Sequence, residues 1–224
     1  EGRIISAALG DAKSILLANH GLLTTGNSVE EATYLAVFFE RAARMQLAAM
    51  AAGDLARKTY ANDDAMRLYH QALAAFANEP EVSPEQLALM ERLGDLCGPA
   101  GRRDAALTHY QRALAIHRTK DDRIAAARIL RKTGRLHLDA GRRDQAETHC
   151  AAAEALIATI DAPIEHAHLL QERGHLAFRM GDQAAAAEWA TQALQRLQTL
   201  PVDGTTEAGR EAARAMAEAL NTKG

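Results

Sequence analysis

The chain repeats itself every 40 residues, and that period limits its fold more than any motif does. AGRRDAALTHY (100–110) and AGRRDQAETHC (140–150) align without a gap, and a third glycine-led turn, Gly181-Asp182, lies 40 residues further on. Gly101, Gly141 and Gly181 therefore mark one recurring position. A second set, Gly53, Gly94, Gly134 and Gly174, precedes it at spacings of 41, 40 and 40. Twelve residues after each comes Ala65, Ala106, Ala146 or Ala186; seven later comes Ala72, Ala113, Ala153 or Ala193. Between the members of each alanine pair sits Tyr69, Tyr110, Cys150 or Ala190. Self-similarity at this period is the mark of stacked helical hairpins. Small residues stand where two helices cross closely, and the larger one fills the hole beside them. Composition agrees: aromatics make up 4% and the hydrophobic share of 48% is rich in alanine, which favours packed helices over sheets.

Boundary signals fall where hairpins need them. Ser83-Pro84-Glu85-Gln86 reads as a capping box with proline in the first turn, and Asp161-Ala162-Pro163 is expected to open another helix in a similar way. Gly98-Pro99-Ala100-Gly101 interrupts the second hairpin, and 201–204 closes the fourth. The polar, alanine-rich stretch 206–220 suits a terminal helix covering the last apolar face. Upstream, residues 13–18 predict a short buried strand and Leu22–Thr25 a second. Ser28-Val29-Glu30-Glu31 predicts a capping box with Ser28 at the N-cap and Glu31 reaching back. The helix after it shows one broad face of Ala32, Leu35, Ala36, Phe39, Ala42 and Ala43. It runs into Gly53 with no Pro- or Ser-rich hinge, so 28–52 is expected to serve as the first hairpin helix and N-terminal cap.

Gly in the first helix and Ala-x3-aromatic in the second, best seen in Leu93-Gly94 and Ala106-x3-Tyr110, resembles the tetratricopeptide (TPR) repeat over about residues 46–200. The period of 40 exceeds the family's ~34, so helices or connections must be longer here. YANDDAMRLYHQALAAF and APIEHAHLLQERGHLAFRMGD resemble TPR regions of bacterial signalling ATPase/cyclase proteins, although no Walker A pattern occurs. ILLANHGLLTTGNSVEEATYLAVFFERAARMQLAAMAAG is similar to the C-terminal part of the class II aldolase/adducin family, over about residues 1–53. That resemblance implies that His20 is the third histidine ligand of a catalytic zinc used in reversible aldol cleavage. The other two ligands come from an upstream His-x-His. Catalytic zinc needs three converging protein ligands, and no histidine precedes His20 here. His166-x-His168 falls on a helix, where residues two apart diverge. His20 is therefore expected to hold zinc only with ligands from another chain or from residues before Glu1; otherwise it is a polar turn residue. A chain beginning with Glu is expected of a fragment or a processed product.

The fold expected is mainly all-α: a TPR-like α-solenoid of about four hairpins (54–204) with a C-terminal capping helix (205–224), preceded by a two-strand/helix remnant of an α/β aldolase-like domain (1–53). The leading function is a non-catalytic protein–protein interaction scaffold or regulatory module without cofactor. The alternatives are a fragment of a zinc-dependent aldolase-family enzyme and the sensor arm of a signalling ATPase/cyclase. In the TPR reading, groove-facing positions lie one after, three before and six before each glycine. They are Arg128, Arg131 and Arg135 in repeat three and His168, Gln171 and His175 in repeat four, with Arg179 one turn on. Repeat two contributes Ala88, Glu91 and Asp95. An acidic peptide or terminal carboxylate clamped by the arginines is one reading. The other is a solvated face with the arginines paired to Asp139 or Glu172.

A net charge of −3 gives no bulk argument for nucleic acid or an anionic membrane. No apolar run approaches the ~20 residues of a membrane span. Cys97 and Cys150 read as buried thiols of a reducing, cytoplasmic setting. Arg102-Arg103 and Arg142-Arg143 read as solvated turn residues, and His109 and His149 as structural or surface residues.

Overall fold

The computed structural model describes residues 2–17, 21–76, 81–198, 200 and 207–223. It divides into two compact units, Glu1–Glu81 and Val82–Gly224.

The first unit holds α1 (Gly2–Leu9), β1 (Ser14–Leu17), β2 (Gly21–Thr24), α2 (Val29–Lys58) and α3 (Asn62–Ala74). The strands pair antiparallel, with Ile15 opposite Leu23 and Leu16 opposite Leu22. The Thr24 hydroxyl donates to the Ala32 carbonyl and ties the hairpin to α2. Ser28 caps α2 by accepting from the Glu31 N–H. The returning bond differs from the expected box: Glu31 accepts from the Asn27 N–H, one residue earlier, at 2.6 Å. α2 runs unbroken for 30 residues through Gly53, where the Tyr69 ring of α3 lies against its backbone.

The second unit stacks α4 (Pro84–Cys97), α5 (Arg103–Thr119), α6 (Arg123–Asp139), α7 (Arg143–Ile157), α8 (Pro163–Arg179), α9 (Gln183–Leu197) and α10 (Glu207–Lys223). The 40-residue period is accounted for by length. From Arg123, a helix of 17 residues, a three-residue turn, a helix of 15 and a five-residue connection complete one repeat. Ser83 and Gln86 form the full capping box of α4. α8 begins at Pro163 as expected, but its N-cap is Ala162 and no side chain caps it; Asp161 does not take that part.

The recurring glycines have two different physical reasons. Gly101, Gly141 and Gly181 adopt φ of +76°, +74° and +83° at the hairpin turns, a region open to glycine at little cost. In each turn the following N–H bonds the carbonyl five residues back, as in Arg142 N to His137 O at 2.9 Å. Gly94 instead admits the ring of Tyr110: a Cβ there would lie 2.3 Å from Cε1. The alanines after each glycine are fully buried or nearly so, and Cys150 and Ala190 fill the place of Tyr110 in the later repeats. α10 shares a core with α8 and α9 through Ala167, Ala193, Leu197 and Ala215. It covers their apolar face as the sequence suggested.

Candidate functional site

The face lined by α4, α6, α8 and α10 contains a cleft of about 830 Å³. Its walls come from every second helix because each hairpin turns its first helix the same way. α6 supplies Arg128, Arg131 and Lys132, α4 supplies Glu91, Arg92 and Asp95, α8 supplies His168, and α10 closes the end with Arg210, Glu211 and Arg214. A smaller cavity of about 430 Å³ lies alongside, between Asp95 and Tyr110 on one wall and Arg131, Arg135 and Glu172 on the other.

α6 is a basic helix whose cations are held by carboxylates of α4 and α8. Glu91 accepts a two-pronged bond from Arg128, at 2.8 Å from Nε and 3.2 Å from Nη2. Lys132 reaches Glu91 at 2.8 Å and both Asp95 oxygens at 2.8 and 2.7 Å. On the other side, Arg131 Nε donates to Glu165 at 2.6 Å, with Glu172 4.0 Å from its Nη1. Arg135 spans Asp139 on its own helix and Glu172 of α8. Asp95 also accepts from the Tyr110 hydroxyl at 2.7 Å, which joins the ladder to the Gly94 crossing. Tyr69 and Asp54 repeat this bond in the first unit at 2.5 Å.

These pairings set the electrostatics. Burial alone would raise the Glu91 carboxyl, but Lys132 and Arg128 outweigh it and hold the group below the ordinary carboxylate range. Burial works against the charge on Arg131, and Glu165 and Glu172 more than restore it. Burial, with Asp95 beside it, raises the Tyr110 hydroxyl far above its usual value, so it stays a donor. Burial and the nearby Glu172 push the Cys150 thiol up to about 11. Both cysteines are buried thiols, and neither is in a disulfide.

The groove residues read from the sequence separate into groups. Arg128, Arg131 and His168 line the larger cleft, and Arg131 and Arg135 line the smaller one. Gln171 is buried and donates to the Ala215 carbonyl of α10 at 2.7 Å, while its Oε1 lies 3.1 Å from His168 Nδ1. His175 and Arg179 line neither cavity. Arg179 is exposed, and its carbonyl accepts from Arg143, one of the turn arginines. Arg92 and Lys132, each two residues before a repeat glycine, also belong to the cleft, a register the sequence reading did not use, and Arg210 and Arg214 lie on α10, outside the glycine register. His149 stacks on His137 with ring centroids 5.0 Å apart. His20 lies outside the described residues. Among the described residues, no group of three or more His, Cys, Asp or Glu side chains is placed to hold a metal ion. None of their helices is long and apolar enough to cross a membrane.

The fold and cleft define a TPR-like helical repeat protein with an aldolase-family-like segment at its N-terminus. Residues 85–158 match the tetratricopeptide repeat family, and residues 1–47 match the family described as class II aldolase and adducin N-terminal domain. A stretch of 47 residues is 45% identical to the meiotically up-regulated gene 14 protein of Schizosaccharomyces pombe, covering 21% of this chain and 18% of that one. The chain thus spans about a fifth of that relative's length. BtubC from P. vanneervenii has a similar fold, with a TM-score of 0.59 at 22% identity over 87% of this chain and 84% of that one. So does the Rap conjugation regulator of plasmid pLS20, solved in complex with the Phr* peptide, with a TM-score of 0.60 at 15% identity over 77% of this chain and 52% of that one.

Proposed function

We propose that the second unit is a non-catalytic peptide-binding module whose ligand is an acidic peptide segment lying along the α4–α6–α8–α10 cleft. The observation behind this reading is the charge of the lining: Arg92, Arg128, Arg131, Lys132, Arg210 and Arg214 face Glu91, Asp95 and Glu211. The pairing within the ladder divides the work. Arg131 is committed to Glu165 and keeps α6 on α8, whereas Arg214 stands exposed at the rim. Charge-assisted bonds to a ligand carboxylate belong to the rim cations, while Arg128, 35% exposed and already bonded to Glu91 through Nε and Nη2, adds its charge to the lining. The Rap regulator, of similar fold, is described with a bound peptide, which supports the same use of this fold. The N-terminal stretch (1–53) is read as an aldolase-like remnant that shares α2 with the first repeat, and 54–204 and 205–224 as the repeats and their cap. His20 takes a zinc role only with ligands from outside the chain. The signalling-ATPase reading rests on the two quoted phrases alone.

The test is fluorescence anisotropy of the full chain with acidic, neutral and basic peptide pools. Acidic peptides are expected to bind, with affinity falling as salt rises. Arg214→Glu, an exposed change, should weaken binding about tenfold, equivalent to roughly 1.4 kcal/mol. Equal binding of all three pools, or an Arg214→Glu variant with undiminished affinity, overturns the reading.

A further inference from the structure

We infer that α2 pairs with α2 of a second copy of this chain, antiparallel, through a coiled-coil seam that the first unit leaves open. Tyr34, Phe38, Arg41, Met45, Ala48 and Ala52 follow one another at alternating steps of four and three residues, and Leu55 continues the pattern. That alternation averages 3.5 residues, the period at which two helices keep one seam in contact. All seven positions are exposed, with Tyr34 at 66%, Phe38 at 60% and Met45 at 68%. The half-buried residues of α2, such as Ala42, Gln46 and Ala49, lie off this line, and Gly53 meets Tyr69 of α3. α3 therefore packs beside this line, with Met45 at the border, where it lines a cavity with Gln71 and Ala75 of α3. The Tyr34 and Phe38 rings already stack with centroids 6.0 Å apart.

The order of sizes along the seam selects the occupant. The bulky members come first and the small ones last. Turning a second copy end for end about Ala43 places Tyr34 over the second copy's Ala52 and Phe38 over its Ala48. Symmetry repeats both contacts, so each knob meets a hole. Met45 then lies along the aliphatic stem of Arg41, whose charged end extends to water. A parallel pair would instead set Arg41 against Arg41 and ring against ring, and leave gaps at Ala48 and Ala52. Leu55 falls opposite Glu31, outside the overlap, and the paired seam from Tyr34 to Ala52 is about 27 Å long at 1.5 Å per residue. It would bury about 1,000 Å² in total, at the lower edge of specific interfaces, so the dimer is expected to form only at micromolar concentrations and above.

Two measurements on the full chain decide it. Sedimentation equilibrium should show a concentration-dependent dimer. Ala48→Glu should abolish it while leaving the circular dichroism of the helices unchanged, since Ala48 is exposed in the single copy. Orientation is read by mixing two reduced single variants, Phe38→Cys and Ala48→Cys, and oxidising; the oxidised parent chain serves as control for Cys97 and Cys150. Antiparallel pairing gives mainly the mixed disulfide between the two variants. A chain that stays monomeric to about 0.1 mM, a dimer that survives Ala48→Glu, or disulfides formed only within each variant overturns the inference. The monomeric result would assign the seam to a different partner.

Discussion

At Gly94 there is no room for one more carbon. The Cβ of an alanine would meet Tyr110 Cδ1, Cε1 and Cζ at 2.3–2.8 Å, and the ring is held in place by its bond to Asp95. At Gly134 the same change meets Cys150 Sγ and the Ala146 carbonyl at 3.2 Å, a contact that a few tenths of an ångström relieve. Alanine is otherwise the better helix former. Gly94→Ala should therefore destabilise the chain by about 2–3 kcal/mol, and Gly134→Ala by less than half of that, in urea unfolding. Similar costs would mean that Tyr110 does not fix the crossing. The stacked pair His137 and His149 gives a pH signature. Burial first, then the neighbouring ring and Arg142, lower His137 below its ordinary 6.5, and burial and Arg118 lower His149. Arg142 Nε donates to His137 Nδ1 at 3.0 Å, a bond that needs the neutral ring. The unfolded chain thus takes up protons first as pH falls below about 6.5, and stability falls across that window. His149→Gln should flatten the melting temperature between pH 7 and pH 5.5, and an unchanged slope would contradict the assignment. Gly94 and Tyr110 were legible in the sequence from their spacing. The histidine stack was not, because His137 has no counterpart at the matching position of the other repeats.

Among the elements, the hairpin turns show how well the repeat was written and where it lapses. The position held by glycine in the three later turns is Tyr60 in the first, and it takes φ +60° with its side chain 88% exposed. The turn keeps the same bonding, with Ala61 N to Ala56 O at 2.9 Å, so the left-handed conformation is required whatever residue stands there. Tyr60→Gly should stabilise the chain by roughly 1 kcal/mol, seen as a raised melting temperature; a loss would show that the exposed ring has a structural role. Between helices, Arg131 and Glu165 are the most buried ion pair in the ladder, with side chains 11% and 8% exposed. Glu165→Leu leaves the Arg131 charge with the more distant Glu172 and Asp95 and should cost about 3 kcal/mol. Arg131→Met with Glu165→Leu should recover most of it, and a double variant as weak as the single one would contradict this account. Helix and strand positions were readable from capping residues and apolar spacing. α1 was not anticipated, and Asp161 was read as a cap that the structure does not use. Single local signals of that kind yield to packing, whereas a period repeated four times does not.

For the whole molecule, the sequence separated two sources of information, one repeated and one not. The repeat made the hairpins of the second unit legible; of the residues it assigned to one face, Arg128, Arg131 and His168 line the larger cleft, whereas His175 and Arg179 line neither cavity. The pairing of arginines with Asp139 and Glu172 was one of the sequence's two readings and holds for Arg135, but the pairs on α4 were not foreseen. Glu91 with Arg128, Asp95 with Lys132, and Arg135 with Glu172 are each 37 residues apart, three short of one period. A search for opposite charges at that offset would have found the ladder, because stacked first helices are displaced by about one turn. Nor did spacing mark Arg210 and Arg214, since α10 stands outside the glycine register. The N-terminal stretch was legible through resemblance, and its exposed seam only through the burial pattern of α2.

A peptide lying in the cleft of the second unit can be located by photo-crosslinking. An acidic peptide selected for binding, with a photoreactive residue at its centre, would be irradiated with the full chain and the labelled residues mapped by mass spectrometry. Labels are expected on α4, α6 and α10, at residues such as Ala88, Arg128 and Arg214. Labels spread over the hairpin turns, or confined to the first unit, would contradict that placement.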